Sequence, residues 1–188
     1  MQTSVAGKHL IVGGARSGKS RYGQQLAEAS GKPVVFVATG DASDPEMAAR
    51  IAKHQAERPT DWGLVEVGQD LAGALREHAS PRHCLLVDCL TLWLGNLLAD
   101  AHLLPEPPDA RQLPAFVRER QALLDVLPGL PGDVIFISNE VGLGIVPLGA
   151  TTRLFRDEAG RLNQDLAALC DAVSFVAAGL PLALKRPI

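Results

Sequence analysis

The sequence predicts an α/β fold in which a mostly parallel sheet is flanked by helices within a single domain. Six short apolar runs alternate with longer segments of helical periodicity, an order typical of parallel sheets. Most of these runs are continuously apolar and rich in β-branched residues, as expected for strands that helices cover on both faces. The chain has 188 residues, a length that a single hydrophobic core commonly serves.

The continuous apolar runs predict the strands, and the segments of helical periodicity predict the helices. The predicted strands cover residues 9–12, 34–38, 64–67, 84–88, 134–138 and 172–177. The predicted helices cover residues 20–29, 45–58, 69–79, 91–100, 114–127 and 152–170. The proline-rich stretch 102–114 is expected to form an exposed loop, and the tail from Gly179 onward is expected to be irregular.

Composition and charge narrow the classes of function. The chain is 47% hydrophobic and 21% charged, with a formal net charge of −3, so neither nucleic acid nor an anionic membrane is an expected partner. No apolar stretch approaches the ~18 residues of a membrane helix, and the N-terminus lacks the apolar region of a signal peptide. Cys84, Cys89 and Cys170 show no metal-ligand spacing. Cys84 and Cys89 lie in or just after an apolar run, so we expect them to be buried, and the expected location is a reducing cytoplasm.

The segment GGARSGKS, which follows the first predicted strand, carries the pattern G-x-x-x-x-G-K-S. Glycines allow backbone N–H groups to close around phosphate oxygens, the lysine reaches the β- and γ-phosphates, and the serine hydroxyl can bind Mg²⁺. The following helix directs its positive end at the same anion. The motif predicts a nucleoside-triphosphate site in a P-loop NTPase-like fold, with Lys19 expected on an exposed loop. Its residues are Gly13, Gly14, Ala15, Arg16, Ser17, Gly18, Lys19 and Ser20.

Polar residues at the ends of two further strands could complete this site, because α/β sheets bind ligands at the carboxyl ends of their strands. Asp88 ends the fourth apolar run and could act on Mg²⁺ together with Ser20. It could also cap the helix that follows. Asn139 and Glu140 follow the fifth run and could contact substrate or phosphate, or simply cap an ordinary loop.

His54 lies on the predicted helix 45–58, with Arg50 and Arg58 one turn away on either side. The two positive charges should disfavour the imidazolium form and leave the neutral, nucleophilic imidazole. The same arginines could bind a polyphosphate beside it. Taken alone, the pattern favours a structural or surface histidine, with a reactive histidine as the alternative.

Four segments of the chain together resemble one enzyme family. They are GGARSGKSRYGQQLA, DPEMAARIAKHQAERPTDW, LLVDCLTLWLGNLL and SNEVGLGIVPLGATTRLFRDEAGRLNQDLA. The family they resemble is the bifunctional adenosylcobinamide kinase / adenosylcobinamide-phosphate guanylyltransferase of cobalamin biosynthesis, and the resemblance runs from the P-loop to about residue 178. It implies that ATP or GTP phosphorylates the aminopropanol hydroxyl of adenosylcobinamide. It also implies that GMP passes from GTP, through a covalent histidine–GMP intermediate, to give adenosyl-GDP-cobinamide.

The resemblance implies roles for particular residues. The nucleophile falls on His54, although some members carry two adjacent histidines where this chain has Lys53 and His54. Mg²⁺ is expected with GTP or ATP, held by Ser20 and Asp88, and no tightly bound organic cofactor is expected. A homo-oligomer is expected, with a trimer as a reasonable state. Further nucleotide contacts are implied at Ala38, Thr39, Gly40, Gln55, Ala56, Glu57, Arg58, Glu66 and Asp88.

Two other functions fit the phosphate-binding motif. A small-molecule kinase of the P-loop type would transfer phosphate without a covalent nucleotide step. A nucleotide-dependent switch would bind and slowly hydrolyse the triphosphate without transferring it to cobinamide.

Overall fold

The computed structural model describes residues 7–40 and 59–186, which form a seven-stranded sheet with helices on both faces. The strands are β1 (Lys8–Gly13), β2 (Val34–Ala38), β3 (Gly63–Glu66), β4 (Cys84–Asp88), β5 (Asp133–Asn139), β6 (Ala172–Ala177) and β7 (Leu180–Lys185). The α-helices of the described residues are α1 (Lys19–Ala29), α2 (Leu71–His78), α3 (Leu90–Leu97), α4 (Pro114–Val126) and α5 (Ala150–Leu169).

The strands lie in the order β3-β2-β4-β5-β1-β6-β7. The first six are parallel, whereas β7 runs antiparallel to β6. The predicted α/β fold class and all six predicted strands are therefore confirmed. The predicted helix 45–58 lies outside the described residues.

The expectation of an irregular tail is wrong, because Leu180–Lys185 forms β7. The chain reverses through a two-residue turn at Ala178 and Gly179, whose φ angles are 52° and 78°. Two successive positive φ angles are the mark of a type I′ hairpin turn, which suits the twist of the strands it joins.

The stretch 102–114 is also more ordered than the sequence indicated. Short 3-10 helices cover Ala99–Leu103 and Ala110–Gln112. Ala110 and Leu113 are buried against the main core, so this connection packs onto the protein although its prolines favour a loop. Across the described residues, no helix is both long enough and apolar enough to cross a membrane.

The core has two layers because alternate residues of the central strands face opposite sides of the sheet. Leu10 of β1 points to the layer under α2, α3, α4 and α5, where Trp93 is fully buried. Ile11 points to the smaller layer under α1. The indole N–H of Trp93 donates to the carbonyl oxygen of Gln69 at 2.7 Å, which satisfies its polar atom inside the core.

The carboxyl ends of β1 and β5 lie side by side, at the edge of the sheet where α/β proteins bind their ligands. Gly13, the last residue of β1, pairs with Asn139, the last residue of β5. Helix α5 passes this edge, because Nδ2 of Asn163 donates to the carbonyl oxygen of Asn139 at 3.3 Å. With a rise of ~1.5 Å per residue, the part of α5 that precedes Asn163 extends beyond the carboxyl ends of the strands.

His9 is buried on the α1 side of β1. It is 8% exposed, its Nε2 lies 2.9 Å from Oγ of Ser174, and its ring meets Tyr22 edge-on. Burial lowers the pKa of His9 to about 4, so the folded protein holds a neutral imidazole at physiological pH.

We expect His9 to make the protein less stable at mildly acidic pH. Between pH 6.5 and pH 4 the unfolded chain binds a proton at His9 that the folded protein does not. The free energy of unfolding therefore has its full value above this window and falls as the pH is lowered through it. The loss should reach about 3 kcal/mol at its lower end. Urea unfolding at several pH values will measure it.

His9→Gln keeps a hydrogen-bonding group toward Ser174 but cannot titrate, so its stability should depend less on pH within this window. The exposed His102 provides the control, since His102→Gln should follow the wild-type curve. The same decline in wild type and His9→Gln would contradict this account.

Candidate nucleotide-binding site

The phosphate loop joins the end of β1 to the start of α1, and its backbone is held by hydrogen bonds at both ends. The N–H of Ser17 donates to the carbonyl oxygen of Gly14 at 3.3 Å, and the N–H of Gly179 donates to that of Ser17 at 2.8 Å. Gly18 has a φ of 99°, which disfavours any residue with a side chain. Ala15 and Arg16 are exposed at the tip, and Ser20 is half-buried in the first turn of α1.

Position 13 requires a glycine because the backbone of the neighbouring strand β6 lies too close to allow a side chain. A Cβ at this position would lie 2.4 Å from the carbonyl oxygen of Val176 in β6 and 2.8 Å from Oγ of Ser17. Oγ of Ser17 is buried and has no hydrogen-bond partner within residues 7–40 and 59–186. The Ser17 hydroxyl thus fills the space that a side chain at Gly13 would need.

Lys19 is not exposed, contrary to the expectation from the sequence. It is the first residue of α1 and only 7% exposed, because its side chain folds back over the loop that precedes it. Its Nζ donates to the carbonyl oxygen of Gly14 at 2.8 Å. Burial lowers the pKa of Lys19, and the nearby Cys89 and Asp88 act in the opposite direction.

Asp88 ends β4 beside the phosphate loop. It is half-buried, and its charge acts on Lys19, so the carboxylate and the ammonium group lie within electrostatic reach. Helix α3 begins at Leu90, and its N-cap residue is Cys89 with no side-chain cap. Asp88 therefore does not occupy the N-cap position that the sequence left open as an alternative.

Ala38, Glu66 and Asp88 lie side by side at the carboxyl edge of three adjacent strands, because Ala38 pairs with both other residues. Thr39 follows Ala38 and is fully buried; its hydroxyl donates to the carbonyl oxygen of Cys89 at 2.7 Å. Gly40 is half-buried and Glu66 is exposed. The structure thus brings these sequence-predicted positions to one edge, with Thr39 in a structural hydrogen bond.

Asn139 and Glu140 link the end of β5 to the phosphate loop. The N–H of Glu140 donates to the carbonyl oxygen of Gly13 at 2.9 Å, and that of Asn139 donates to Oγ1 of Thr91 at 2.8 Å. The Glu140 carboxylate accepts from the N–H of Gly142 at 2.6 Å. This contact is the loop-capping role that the sequence left open for Glu140.

A cavity of about 380 Å³ adjoins the phosphate loop and includes residues that the sequence analysis missed. Arg21 and Gln25 are one helical turn apart and immediately follow the motif, a spacing that could have indicated a shared face. No sequence pattern connects the hairpin turn at Ala178 and Gly179 with the phosphate loop, because the two are far apart in the chain. The lining residues are Arg16, Ser17, Gly18, Arg21, Tyr22, Gln25, Ala178 and Gly179.

The predicted nucleophile and its neighbours lie outside the described residues. These positions are His54, Gln55, Ala56, Glu57 and Arg58. Within the described ranges, no three His, Cys, Asp or Glu side chains converge to hold a metal ion. Ser20 and Asp88, the two oxygen donors predicted to bind Mg²⁺, are both half-buried. A hydroxyl and a carboxylate are ligand types that suit Mg²⁺, which typically takes few protein ligands and completes its shell with phosphate oxygens and water.

The parallel sheet, the glycine-rich turn and the lysine at the start of α1 define a P-loop nucleotide-binding protein. The chain belongs to the cobinamide kinase / cobinamide phosphate guanyltransferase (CobU) family, whose model matches residues 9–184. It is therefore an enzyme, and the family resemblance stated from the sequence is confirmed.

Curated relatives agree with this assignment. The chain is 51% identical over 178 residues to the bifunctional adenosylcobalamin biosynthesis protein CobP of Pseudomonas aeruginosa, covering 95% of this chain and 97% of that protein. It is 38% identical over 179 residues to the bifunctional adenosylcobalamin biosynthesis protein CobU of Escherichia coli, covering 94% and 98%. CobU of Salmonella typhimurium matches to the same extent.

Solved structures share the fold at low identity. The ATPase EscN of an enteropathogenic E. coli type III secretion system has a TM-score of 0.57 at 14% identity, covering 93% of this chain and 43% of that one. An ATP synthase subunit, NeqB, has a TM-score of 0.55 at 15% identity, covering 91% and 45%. These similarities confirm the P-loop fold and carry no conclusion about substrates.

We expect Lys19→Ala to weaken GTP binding at least tenfold, because a charge-assisted contact to phosphate is worth ~1.5–3 kcal/mol. Calorimetric titration with GTP and Mg²⁺ will measure the affinity. Thermal unfolding will show whether the fold survives the loss of a buried side chain.

Glu28→Ala provides the control, since Glu28 is exposed at the far end of the same helix. It should bind GTP as the wild type does. Unchanged GTP affinity in a folded Lys19→Ala variant would contradict the placement of phosphate in this loop.

Proposed function

We propose that this chain phosphorylates adenosylcobinamide with ATP or GTP and then transfers GMP from GTP to the product through His54. One domain, residues 1–188, carries both reactions. The observation that carries the proposal is the buried Lys19, whose Nζ lies over the phosphate loop within electrostatic reach of Asp88. The family membership supports the identity of the acceptor.

In the kinase step, the aminopropanol hydroxyl oxygen attacks the γ-phosphorus and the hydroxyl proton is released to water. The bond between the γ-phosphorus and the nucleoside diphosphate oxygen breaks, and the nucleoside diphosphate leaves. The loop N–H groups and Lys19 stabilise the charge on the transferring group, so positioning and electrostatics provide the catalysis. Lys19 exchanges its neutral acceptor, the Gly14 carbonyl, for a charged phosphate oxygen, which makes a stronger hydrogen bond. Ser20 and Asp88 would hold Mg²⁺, which would supply further charge neutralisation.

In the guanylyltransferase step, a neutral imidazole nitrogen of His54 attacks the α-phosphorus of GTP and pyrophosphate leaves. The product is a histidine–GMP phosphoramidate. A phosphate oxygen of the cobinamide phosphate then attacks the same phosphorus, the P–N bond breaks, and His54 is released. This sequence splits one difficult displacement into two easier ones. The flanking Arg50 and Arg58 in the sequence would bind the charged phosphates.

Ala38, Gly40, Glu66 and Asp88 are proposed to line the approach to the nucleotide from β2, β3 and β4. Thr39 is fully buried and is proposed to hold the end of β2 in place through its hydrogen bond to Cys89. The family membership supports further nucleotide contacts by Gln55, Ala56, Glu57 and Arg58. Asn139 and Glu140 hold the loop that faces the substrate. The buried thiols of Cys84, Cys89 and Cys170 are unpaired, which supports a location in the reducing cytoplasm.

We also infer that the chain works as a homo-oligomer, with a trimer as the expected state. β7 lies at the edge of the sheet, where backbone groups remain available for pairing with another chain. Leu180 and Leu182 alternate along its regular part and are 73% and 62% exposed. Alternate residues share one face of a strand, so these two leucines form an apolar surface suited to a second copy of the chain. Leu184 is 61% exposed and lies where the pairing between β6 and β7 shifts register.

The covalent step is tested by incubating the protein with α-labelled GTP and Mg²⁺. The wild type should take up label that is stable in alkali and lost in acid, the behaviour of a phosphoramidate. His54→Ala should take up none, since no other residue is proposed to attack the α-phosphorus.

His102→Ala, a change at an exposed histidine, is the control and should label normally. An active wild type without label would favour the small-molecule kinase that makes no covalent intermediate. Label retained by His54→Ala would remove His54 from the mechanism.

Assembly is tested by sedimentation equilibrium. Leu182→Lys places a charge in the apolar surface of β7 and should lower the measured mass from three chains to one. Leu103→Lys is the matched control, because Leu103 is 71% exposed on a 3-10 helix outside the sheet. A monomeric wild type at micromolar concentration would contradict the oligomer.

A further inference from the structure

An open cavity of about 760 Å³ lies between α4, the start of α5 and residues 107–111. It shares no lining residue with the cavity at the phosphate loop. Its volume falls in the range of ~300–1,000 Å³ that small-molecule sites occupy. The nucleotide site already described does not use it.

The cavity lies at the same end of the sheet as the phosphate loop. Asn163 of α5 is level with Asn139, which pairs with Gly13 of the loop. Arg153, which lines the cavity, precedes Asn163 by ten residues and so lies about 15 Å further along the helix, beyond the strand ends. Its Nη1 donates to the carbonyl oxygen of Pro147 at 3.0 Å, so the β5–α5 connection runs from the phosphate loop to the cavity wall.

The polar lining of the cavity interleaves donors and acceptors. Arg111 pairs with Asp109 at 2.7 Å, and its hydrogen bonds hold the pKa of Asp109 below the usual range. Arg161 pairs with Glu158. A wall in which carboxylates accompany the guanidinium groups disfavours a polyphosphate, because the carboxylates would repel it. It suits uncharged groups that both donate and accept hydrogen bonds.

The lining also offers apolar surface. Phe116 and Leu154 face the cavity together with two prolines. Arg120 lines it as well, and its guanidinium group pairs with the carboxylate of Asp165. A ligand with an apolar body would cover the apolar surface, and carbonyl groups at its edge would accept from guanidinium N–H groups of the cavity wall.

We propose that this cavity binds the corrin body of the cobinamide substrate, an inference that rests on the proposed function. Cobinamide is an apolar macrocycle with carboxamide side chains around its rim. Each carboxamide donates through its NH₂ group and accepts through its carbonyl oxygen, which matches alternating arginines and carboxylates. Binding the body here places the substrate at the carboxyl edge of the sheet, where its hydroxyl arm must meet the nucleotide.

A matched pair of arginines tests the assignment. Arg161 and Glu158 have side chains that are 61% and 10% exposed, and Arg118 and Glu119 have side chains that are 64% and 10% exposed. Arg161 lines the cavity and Arg118 does not. Replacing either arginine with glutamine leaves a largely buried glutamate without its partner, so any general loss of stability is common to both variants.

Equilibrium dialysis with adenosylcobinamide, which needs no turnover, measures binding directly. Arg161→Gln should raise the dissociation constant about tenfold, while Arg118→Gln should match the wild type. Labelling with α-labelled GTP in the absence of corrinoid should be unchanged in both variants, because the nucleotide site is separate.

Equal corrinoid affinity in all three proteins would overturn the assignment, and so would equal weakening in both variants. Loss of GTP labelling in Arg161→Gln along with corrinoid binding would also overturn it, since the effect would not be confined to the cavity. A wild type that binds adenosylcobinamide but never labels would refute the covalent step alone and leave the cavity assignment standing.

Discussion

The close approach of three backbone segments at Gly13 sets the geometry of the nucleotide site. Gly13 pairs with Asn139 on one side and Val176 on the other, and the Val176 carbonyl leaves no room for a Cβ. The chain can therefore leave the centre of the sheet only as a tight glycine turn. That turn places the N-terminus of α1 under the phosphate position and brings the ends of β4 and β5 beside it. A larger residue at Gly13 would displace all of these elements together.

Burying Lys19 has an electrostatic cost and a functional use. An ammonium group with little access to water loses hydration, which is why its pKa falls. The Gly14 carbonyl and the nearby Asp88 offset part of that loss. Because the surroundings are poor in water, a phosphate oxygen placed there interacts more strongly with Lys19 than it would with an exposed lysine. The site is thus prepared for an anion by the way the chain folds.

Features that depend on a local sequence pattern could be predicted, whereas features that depend on packing between residues far apart in the chain could not. Six strands were readable because both faces of the central sheet are buried, and the phosphate loop was readable because its residues are contiguous. β7 was missed because its side chains are all exposed and its turn, Ala178 and Gly179, resembles an ordinary loop. The burial of Lys19 follows from contacts within a folded loop that residue type does not reveal. The cavity beside α5 combines Arg111 with Arg161, which no spacing rule connects.

The order in which the sheet is assembled has a consequence for how the protein is made. β1 is among the first elements of the described chain, yet its two neighbours are β5 and β6, and the Lys8 N–H meets the Asp171 carboxylate across 163 positions of sequence. Contacts of such separation form late, because the entropy of closing the long loop must be overcome first. The phosphate loop is therefore flanked on both sides only after β5 and β6 have been synthesised and have paired with β1. A nucleotide that requires the closed loop can bind only when these two distant strands are in place.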